Sequence, residues 1–382
     1  MRRRLSLVFV ALLAWAPEAQ AQALPVEAIA RQAHDWVAEG KAPGIAIGVM
    51  AGHRIVLARG YGLADLEHDV PVTPDTVFRI GSVTKQFTAA AALRLAEAGQ
   101  LTPDMLPGPA TLYQLLGHIG GVPSFTDSNV APAQGWSRRR SEAEMLAMIA
   151  GLSPPRRFAA GAGWDYSNSG YYLVGTAIAR ASGMPLGSYL HSALFVPLGM
   201  NRTALDDERD IVPDRAIGYA TDPEAPGGFV HAAWVSMTVP GGAGAMRSNV
   251  PDLLRWQDAL LHGAVLSAEM RARMLMPTRL SDGSLARRGP EGCRVAQYGL
   301  GVYVDAPNGV AHVSHYGVIA GYRAYLASFP ERGLAVAILT NGESDLAPLV
   351  ARVETLMVGA DPVPLCSAET VARMSRPEGA IP

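Results

Sequence analysis

Lysine and cysteine are almost missing from this chain. Only Lys41 and Lys85 stand among its 32 basic side chains, so its surface cations are written as arginine. Cysteine is as scarce, with Cys293 and Cys366 alone. Two thiols cannot build a structural zinc site, and no His-Glu-x-x-His or Cys-x-x-Cys spacing occurs. His312 and His315 lie three apart in a strand-like run and so face opposite sides of a sheet. Neither a metal nor another cofactor is therefore expected. Charge is sparse too, at 17% of residues with a formal net charge of −2, which removes the counter-ion argument for nucleic acid. The one basic cluster, Arg138-Arg139-Arg140, reads as a solvated loop or helix start. There is no Gly-x-Ser-x-Gly, and hence no nucleophile elbow of the α/β-hydrolase kind. Low-complexity tracts and internal repeats are also absent, and 49% hydrophobic residues exclude a disordered chain.

What is present begins with an export pattern. Arg2-Arg3-Arg4 forms a positive start, and Leu5 to Ala16 is an apolar run too short to span a bilayer. Pro17 breaks the run, and Ala19-Gln20-Ala21 offers a small-x-small cleavage site. Residues 1–21 are thus expected to be a signal peptide. Its removal takes away three arginines and one glutamate and moves the net charge from −2 to −4. No cysteine stands at the cleavage point to carry a lipid, and no later apolar stretch is long enough for a membrane span. An exported, periplasmic or extracellular protein is expected. That setting permits a disulfide between Cys293 and Cys366, which would tie down a tail over residues 361–382. Two unpaired thiols are the alternative.

At 382 residues the chain can form one large two-lobed domain, expected over residues 22–360. Pro25 to Glu39 has helical spacing, and a hairpin follows from Gly44–Met50 to Arg54–Gly60 across Ala51-Gly52-His53. Residues 61–78 read as a loop. The middle of the chain is helical pattern broken by Pro/Gly loops, with helices at Ser141–Ala150, Gly170–Ala181 and, capped by Asn249, up to Leu261. The long loops 119–140 and 213–247 carry Phe125, Trp136 and Trp234, and a shorter one carries Trp164; each ring is expected to pack against a helix. Short β-rich runs return at 298–304, 310–316, 321–329 and 333–340, and a helix near Leu346–Val358 closes the chain. Strands at both ends with helices between imply an α/β chain of the α+β type. One antiparallel sheet is built from both chain ends (about 25–80 and 290–358), flanked by helices, with a mostly helical lobe (about 81–289) inserted. Ligands usually bind where two lobes meet.

The chemistry gathers at Gly81-Ser82-Val83-Thr84-Lys85, which opens the apolar run Gln86–Ala98 and stops at Gly99. Ser82 falls at a helix start, where free N–H groups and the positive dipole end meet, and Lys85 follows one turn on. A hydroxyl and an amine so placed make a nucleophile–base pair. On an alanine-rich helix face a solvated lysine is the poorer reading. Downstream, Gly163-Trp164-Asp165-Tyr166-Ser167-Asn168 presents a phenol and an amide two residues apart at a helix start. The Tyr166 phenol can move protons if a positive field from Lys85 lowers its pKa from about 10. His315-Tyr316-Gly317 ends one strand, shortly before Gly321-Tyr322 starts the next.

These three stretches, in this order, resemble the serine hydrolases of the class C β-lactamase and D-alanyl-D-alanine carboxypeptidase family. Thr76–Gly81, Leu115-Leu116-Gly117-His118-Ile119-Gly120-Gly121 and Gly241-Gly242-Ala243-Gly244 are lesser echoes. The resemblance runs from about residue 27 to 358 and implies the β-lactamase/transpeptidase fold. It implies Ser82 as the acylated nucleophile, Lys85 as its activator and Tyr166 as a base that also serves deacylation. Asn168 would orient the acyl-side amide, and His315 would tune Tyr166. The N–H groups of Ser82 and Val318 would form the oxyanion hole beside Gly317. The implied partner is a small molecule or peptide with an ester or amide carbonyl. The sequence departs from the family pattern in the third motif, where His315 and Tyr316 replace a lysine and a threonine that hold a carboxylate. An esterase or peptidase is therefore expected rather than an efficient β-lactamase. The alternative class is a catalytically silent relative that only binds cell-wall peptide or a protein partner.

Overall fold

A computed structural model describes residues 24–106, 108–127, 135–287 and 295–361. The expected signal peptide and both cysteines lie outside the described residues.

The chain opens with helix α1 (Val26–Ala38), whose Ile29, Ala33 and Trp36 are buried at helical spacing. Strands β1 (Gly44–Ala51) and β2 (Arg54–Asp65) form the expected hairpin, and a two-residue strand β3 (Val70–Pro71) edges it. Helix α2 (Thr84–Glu97) starts straight after a short 3-10 turn at Gly81–Val83. Helix α3 (Asn168–Ser182) is capped by the Ser167 hydroxyl, which accepts from the N–H of Gly170. Helix α4 (Val250–His262) is capped by the Asn249 side chain on the N–H of Asp252. Five more strands follow: β4 (Gln297–Tyr298), β5 (Tyr303–Asp305), β6 (His312–Ile319), β7 (Tyr322–Phe329) and β8 (Leu334–Thr340). Helix α5 (Ala347–Val358) ends the described chain.

These eight strands form one antiparallel sheet in the order β3-β2-β1-β8-β7-β6-β5-β4. Its two halves, from opposite ends of the sequence, meet where β1 pairs with β8, Ile45 opposite Thr340. Alternation then sorts the side chains. Ile45, Ile47 and Val49 of β1 with Val336 and Ile338 of β8 pack under α1 and α5. Ala46 and Met50 with Ala335, Ala337 and Leu339 face α2 and α4. The second face carries mostly small side chains, so helices come close: a Cβ on Gly48 would lie 2.2 Å from a Val250 methyl.

Two sequence-based expectations differ from the fold. The run 298–304 is two short strands, because Gly299 and Gly301 let the backbone turn aside for α2; Gly301 (φ +83°) would place a Cβ 2.7 Å from the Lys85 carbonyl. Residues 61–78 are not all loop, since β2 runs on to Asp65 and Phe78–Arg79 pairs with Met246–Ser248.

Helix α2 is the centre of the large cluster. Every residue from Thr84 to Leu93 is buried, Lys85 among them. Phe87 stacks on Trp256 of α4 at 4.1 Å between ring centroids and meets the edge of Phe195. Truncating this ring leaves a cavity the closely packed helices cannot close. Phe87→Ala is expected to cost about 3–5 kcal/mol in urea unfolding, and a loss below about 1 kcal/mol would contradict this placement of α2.

Candidate active site

Ser82 sits in the 3-10 turn that precedes α2, partly open to solvent, while Lys85 is fully buried one turn later. The Lys85 Nζ has three neighbours at hydrogen-bond distance: Ser82 Oγ at 3.0 Å, Asn168 Oδ1 at 2.7 Å and the Ala243 carbonyl at 2.7 Å. No carboxylate is among its partners within the described residues. Burial alone therefore acts on the amine and holds its pKa well below the ordinary lysine value of 10.5. A neutral amine has two N–H bonds and one lone pair. The two carbonyl oxygens take the N–H groups, and the lone pair is left facing the Ser82 hydroxyl.

Asn168 is held in turn. Its Nδ2 donates to Thr126 Oγ1 at 2.9 Å, and its backbone N–H donates to Ser124 Oγ at 3.1 Å. The Tyr166 ring lies over Lys85, with Nζ 4.7 Å from the ring centroid. Its phenol does not drop below 10 as the sequence suggested. Burial raises it well above, and the hydrogen-bonding Ser82 hydroxyl only partly offsets this. Lys85 is not among the groups that move this phenol, whereas any charge it carries acts on the two imidazoles nearby.

His315 reaches the same group from β6. Its Nδ1 lies 2.6 Å from the Tyr316 carbonyl and must donate, which leaves Nε2 to accept from the Tyr298 hydroxyl at 3.1 Å. Burial first, then Lys85, pushes the imidazole down to about 3. It has no direct bond to Tyr166, whose ring centroid is 6.4 Å away.

Backbone closes the remaining side. Gly81 has φ +48°, and a Cβ there would lie 2.7 Å from the Val318 nitrogen; one on Gly317 would lie 2.0 Å from the Ile80 carbonyl. Glycine at both positions lets β6 touch the Ser82 turn main chain to main chain. Val318 itself is exposed.

Ser82, Lys85, Tyr166, Asn168, His315, Gly317 and Val318 are thus brought together, and Tyr316 is not. Strand alternation turns its ring to the opposite face, where it packs on Tyr325 at 4.5 Å beneath α5. The loop aromatics divide as well: Phe125 is buried, but Trp234 is 59% exposed and lies beside the Arg79 guanidinium.

His118 is the residue whose part the sequence did not reveal. It adopts φ +62°, its carbonyl accepts from the N–H of Asp165, and its Nδ1 accepts from the N–H of Ser167. Tyr166 is therefore clamped on both sides, and the His118 ring lies 4.3 Å from its ring. Burial and the neighbouring Lys85 keep this imidazole neutral too. Tyr298 and Tyr303 complete the aromatic wall around His315. The Leu115–Gly121 stretch was the available signal, but nothing local says where its ring points.

Two imidazoles kept neutral in the fold must take up protons once it opens, near the ordinary value of 6.5. Stability is then lost as pH falls below about 6.5, down toward about 3 for His315. The melting temperature is expected to fall from pH 7 to pH 4, with a shallower fall in His315→Gln. An unchanged slope in that variant would contradict a neutral buried His315.

Comparison with known proteins gives the family. The Beta-lactamase family model matches residues 26–356. The D-aminopeptidase of Gluconobacter oxydans is 25% identical over 332 residues, which cover 83% of this chain but only 59% of that protein. Esterase EstB of Burkholderia gladioli is 28% identical over 349 residues, covering 78% of this chain and 85% of the esterase. Among solved structures, the octameric penicillin-binding protein homologue from Pyrococcus abyssi superposes with a TM-score of 0.73 at 27% identity, over 89% of this chain and 78% of that one. The chain belongs to the Beta-lactamase family, as a serine hydrolase with the β-lactamase/transpeptidase fold.

Proposed function

We propose that this protein is an exported hydrolase that cleaves an ester or amide through an acyl-enzyme on Ser82. The observation that carries the reading is the Lys85 amine, buried without a carboxylate and 3.0 Å from Ser82 Oγ.

The neutral amine takes the Ser82 proton as Oγ attacks the substrate carbonyl. The developing oxyanion is held by the N–H groups of Ser82 and Val318, brought side by side by Gly81 and Gly317. The proton passes by way of the Tyr166 phenol to the leaving alcohol or amine, and the carbonyl–heteroatom bond breaks. Tyr166 works as a neutral donor and acceptor in this relay, which suits its raised pKa. Water then attacks the acyl-enzyme under the same amine and releases the acid. Asn168, with its oxygen on Lys85 and one amide hydrogen on Thr126, keeps its second hydrogen for the acyl side of the substrate. His315 shapes this wall as a neutral group, acting on Tyr166 through Tyr298 rather than directly.

Export rests on the basic and apolar start of the sequence. No helix among the described residues is long and apolar enough to cross a membrane.

The substrate reading rests on charge. His315 is neutral where the family pattern has a lysine, and Tyr316 faces away from where the threonine would act. The pair that holds a carboxylate in the family pattern is therefore missing, and an esterase and an aminopeptidase are among the relatives. Hydrolysis of p-nitrophenyl butyrate is expected with a higher kcat/KM than hydrolysis of a chromogenic cephalosporin. The reverse order would overturn this choice of substrate.

A fluorophosphonate probe tests the chemistry. Labelling is expected on Ser82, absent in Ser82→Ala and slowed ~100-fold or more in Lys85→Arg, which keeps a cation but offers no lone pair. Labelling that survives in Ser82→Ala would refute the acyl-enzyme. A properly folded wild type that never labels would favour the silent binding protein.

A further inference from the structure

Three side chains with no part in the Ser82 chemistry converge at the other end of the sheet. Strand pairing puts Val318, Arg323, Thr340 and Ile45 in one row at the Ser82 end, and Val313, Ser328, Ala335 and Met50 in a row five residues away. That separates the two ends by about 17 Å along the strands. Beyond Met50 the β1–β2 turn holds His53 at φ +64°, and the last turn of α4 comes alongside it.

There the Nδ1 of His53 lies 2.6 Å from Asp258 Oδ1, and the Nδ1 of His262 lies 2.8 Å from the same oxygen. The His262 nitrogen is also 2.9 Å from the Asp258 carbonyl. The imidazole centroids are 4.2 Å apart, with the planes inclined by 61°. One ligand atom from each of the three residues lies within 4.8 Å of the others. Asp258 and His262 are four apart and so share a helix face, while His53 arrives from a separate element 205 residues away. The side chains are 61%, 30% and 47% exposed, at the rim of a shallow crevice floored by Met50, Leu261, Pro330 and Ala335.

We propose that His53, Asp258 and His262 form a surface site for a divalent ion of the zinc class, which pins the β1–β2 turn to the end of α4. Two imidazole nitrogens and one carboxylate oxygen are a borderline donor set, suited to Zn²⁺, Ni²⁺ or Cu²⁺ and poor for Ca²⁺ or Mg²⁺. Both rings aim the same nitrogen at one carboxylate oxygen, so the three ligand atoms already lie together where one ion can reach them all. Ligand atoms around zinc at 2.0–2.1 Å stand about 3.3 Å apart in a tetrahedron, so the nitrogen–oxygen separations of 2.6 and 2.8 Å need only open by well under 1 Å. The open side leaves room for water as the remaining ligand. With Nδ1 on the ion, each imidazole carries its one proton on Nε2, and binding changes no oxidation state. The ion is structural, and the proposal is independent of the reading of Ser82.

The test uses tag-free, EDTA-treated full-chain protein titrated with ZnCl₂ by calorimetry, with Co²⁺ absorption as a second readout. One saturable equivalent is expected, with a melting temperature raised by ~2 °C or more in excess zinc. His53→Ala and His262→Ala should each weaken binding at least ~10-fold and remove the thermal shift, while fluorophosphonate labelling of Ser82 proceeds at the wild-type rate. That unchanged labelling certifies the fold of each variant and separates a failure here from a failure at Ser82. No saturable binding by the wild type, or wild-type zinc affinity in both variants, would overturn the proposal.

Discussion

The site depends on one electrostatic fact, an amine buried with no carboxylate among the described residues to balance it. A charged lysine enclosed among Tyr166, Tyr171, Asn168 and the Ala243 carbonyl would lose its hydration and gain no counter-ion. The fold resolves this by letting Lys85 discharge. The same burial that discharges the amine keeps Tyr166 protonated and leaves both nearby imidazoles uncharged. Nearly every ionisable group around Ser82 is thus set by desolvation rather than by pairing.

Holding that arrangement needs close contact between elements far apart in sequence. The alanine run of α2 allows tight packing on every side, and Phe87 against Trp256 anchors it to α4. Gly301 makes room for the Lys85 backbone, and Gly81 with Gly317 lets β6 reach the Ser82 turn. The Tyr166 loop, which has no strand or helix of its own to fix it, is gripped through its backbone by His118.

Much of this was legible in the sequence, because the patterns are local. Apolar spacing gave α1, α2 and α5, the Asn249 cap placed α4, and β-rich runs gave β6 to β8. The Ser82, Tyr166 and His315 stretches stood out by their order along the chain, which resembles the family's, and the fold brings them together. What escaped depended on distance or on direction. The roles of His118 and Tyr298 come from hydrogen bonds and ring contacts, those of His118 reaching segments some 50 to 180 residues away, which no window of sequence reports. Tyr316 is different: the alternation that separates His312 from His315 also separates Tyr316 from His315, so its place on the far face was readable. The juxtaposition of His53 with Asp258 and His262 exists only once β1 has paired and α4 has packed across it.

The central claim is that Lys85 is neutral in the folded protein and holds its lone pair toward Ser82. The chain has only two lysines, so carbon-13 labelling of the lysine Cε gives a spectrum that Lys85→Arg assigns by the loss of one signal. A pH titration of that signal measures the claim directly. The account expects Lys85 to sit at its neutral chemical shift at pH 8 and to titrate well below 10.5. A Lys85 signal that stays at the charged shift until pH approaches 10.5 would contradict it.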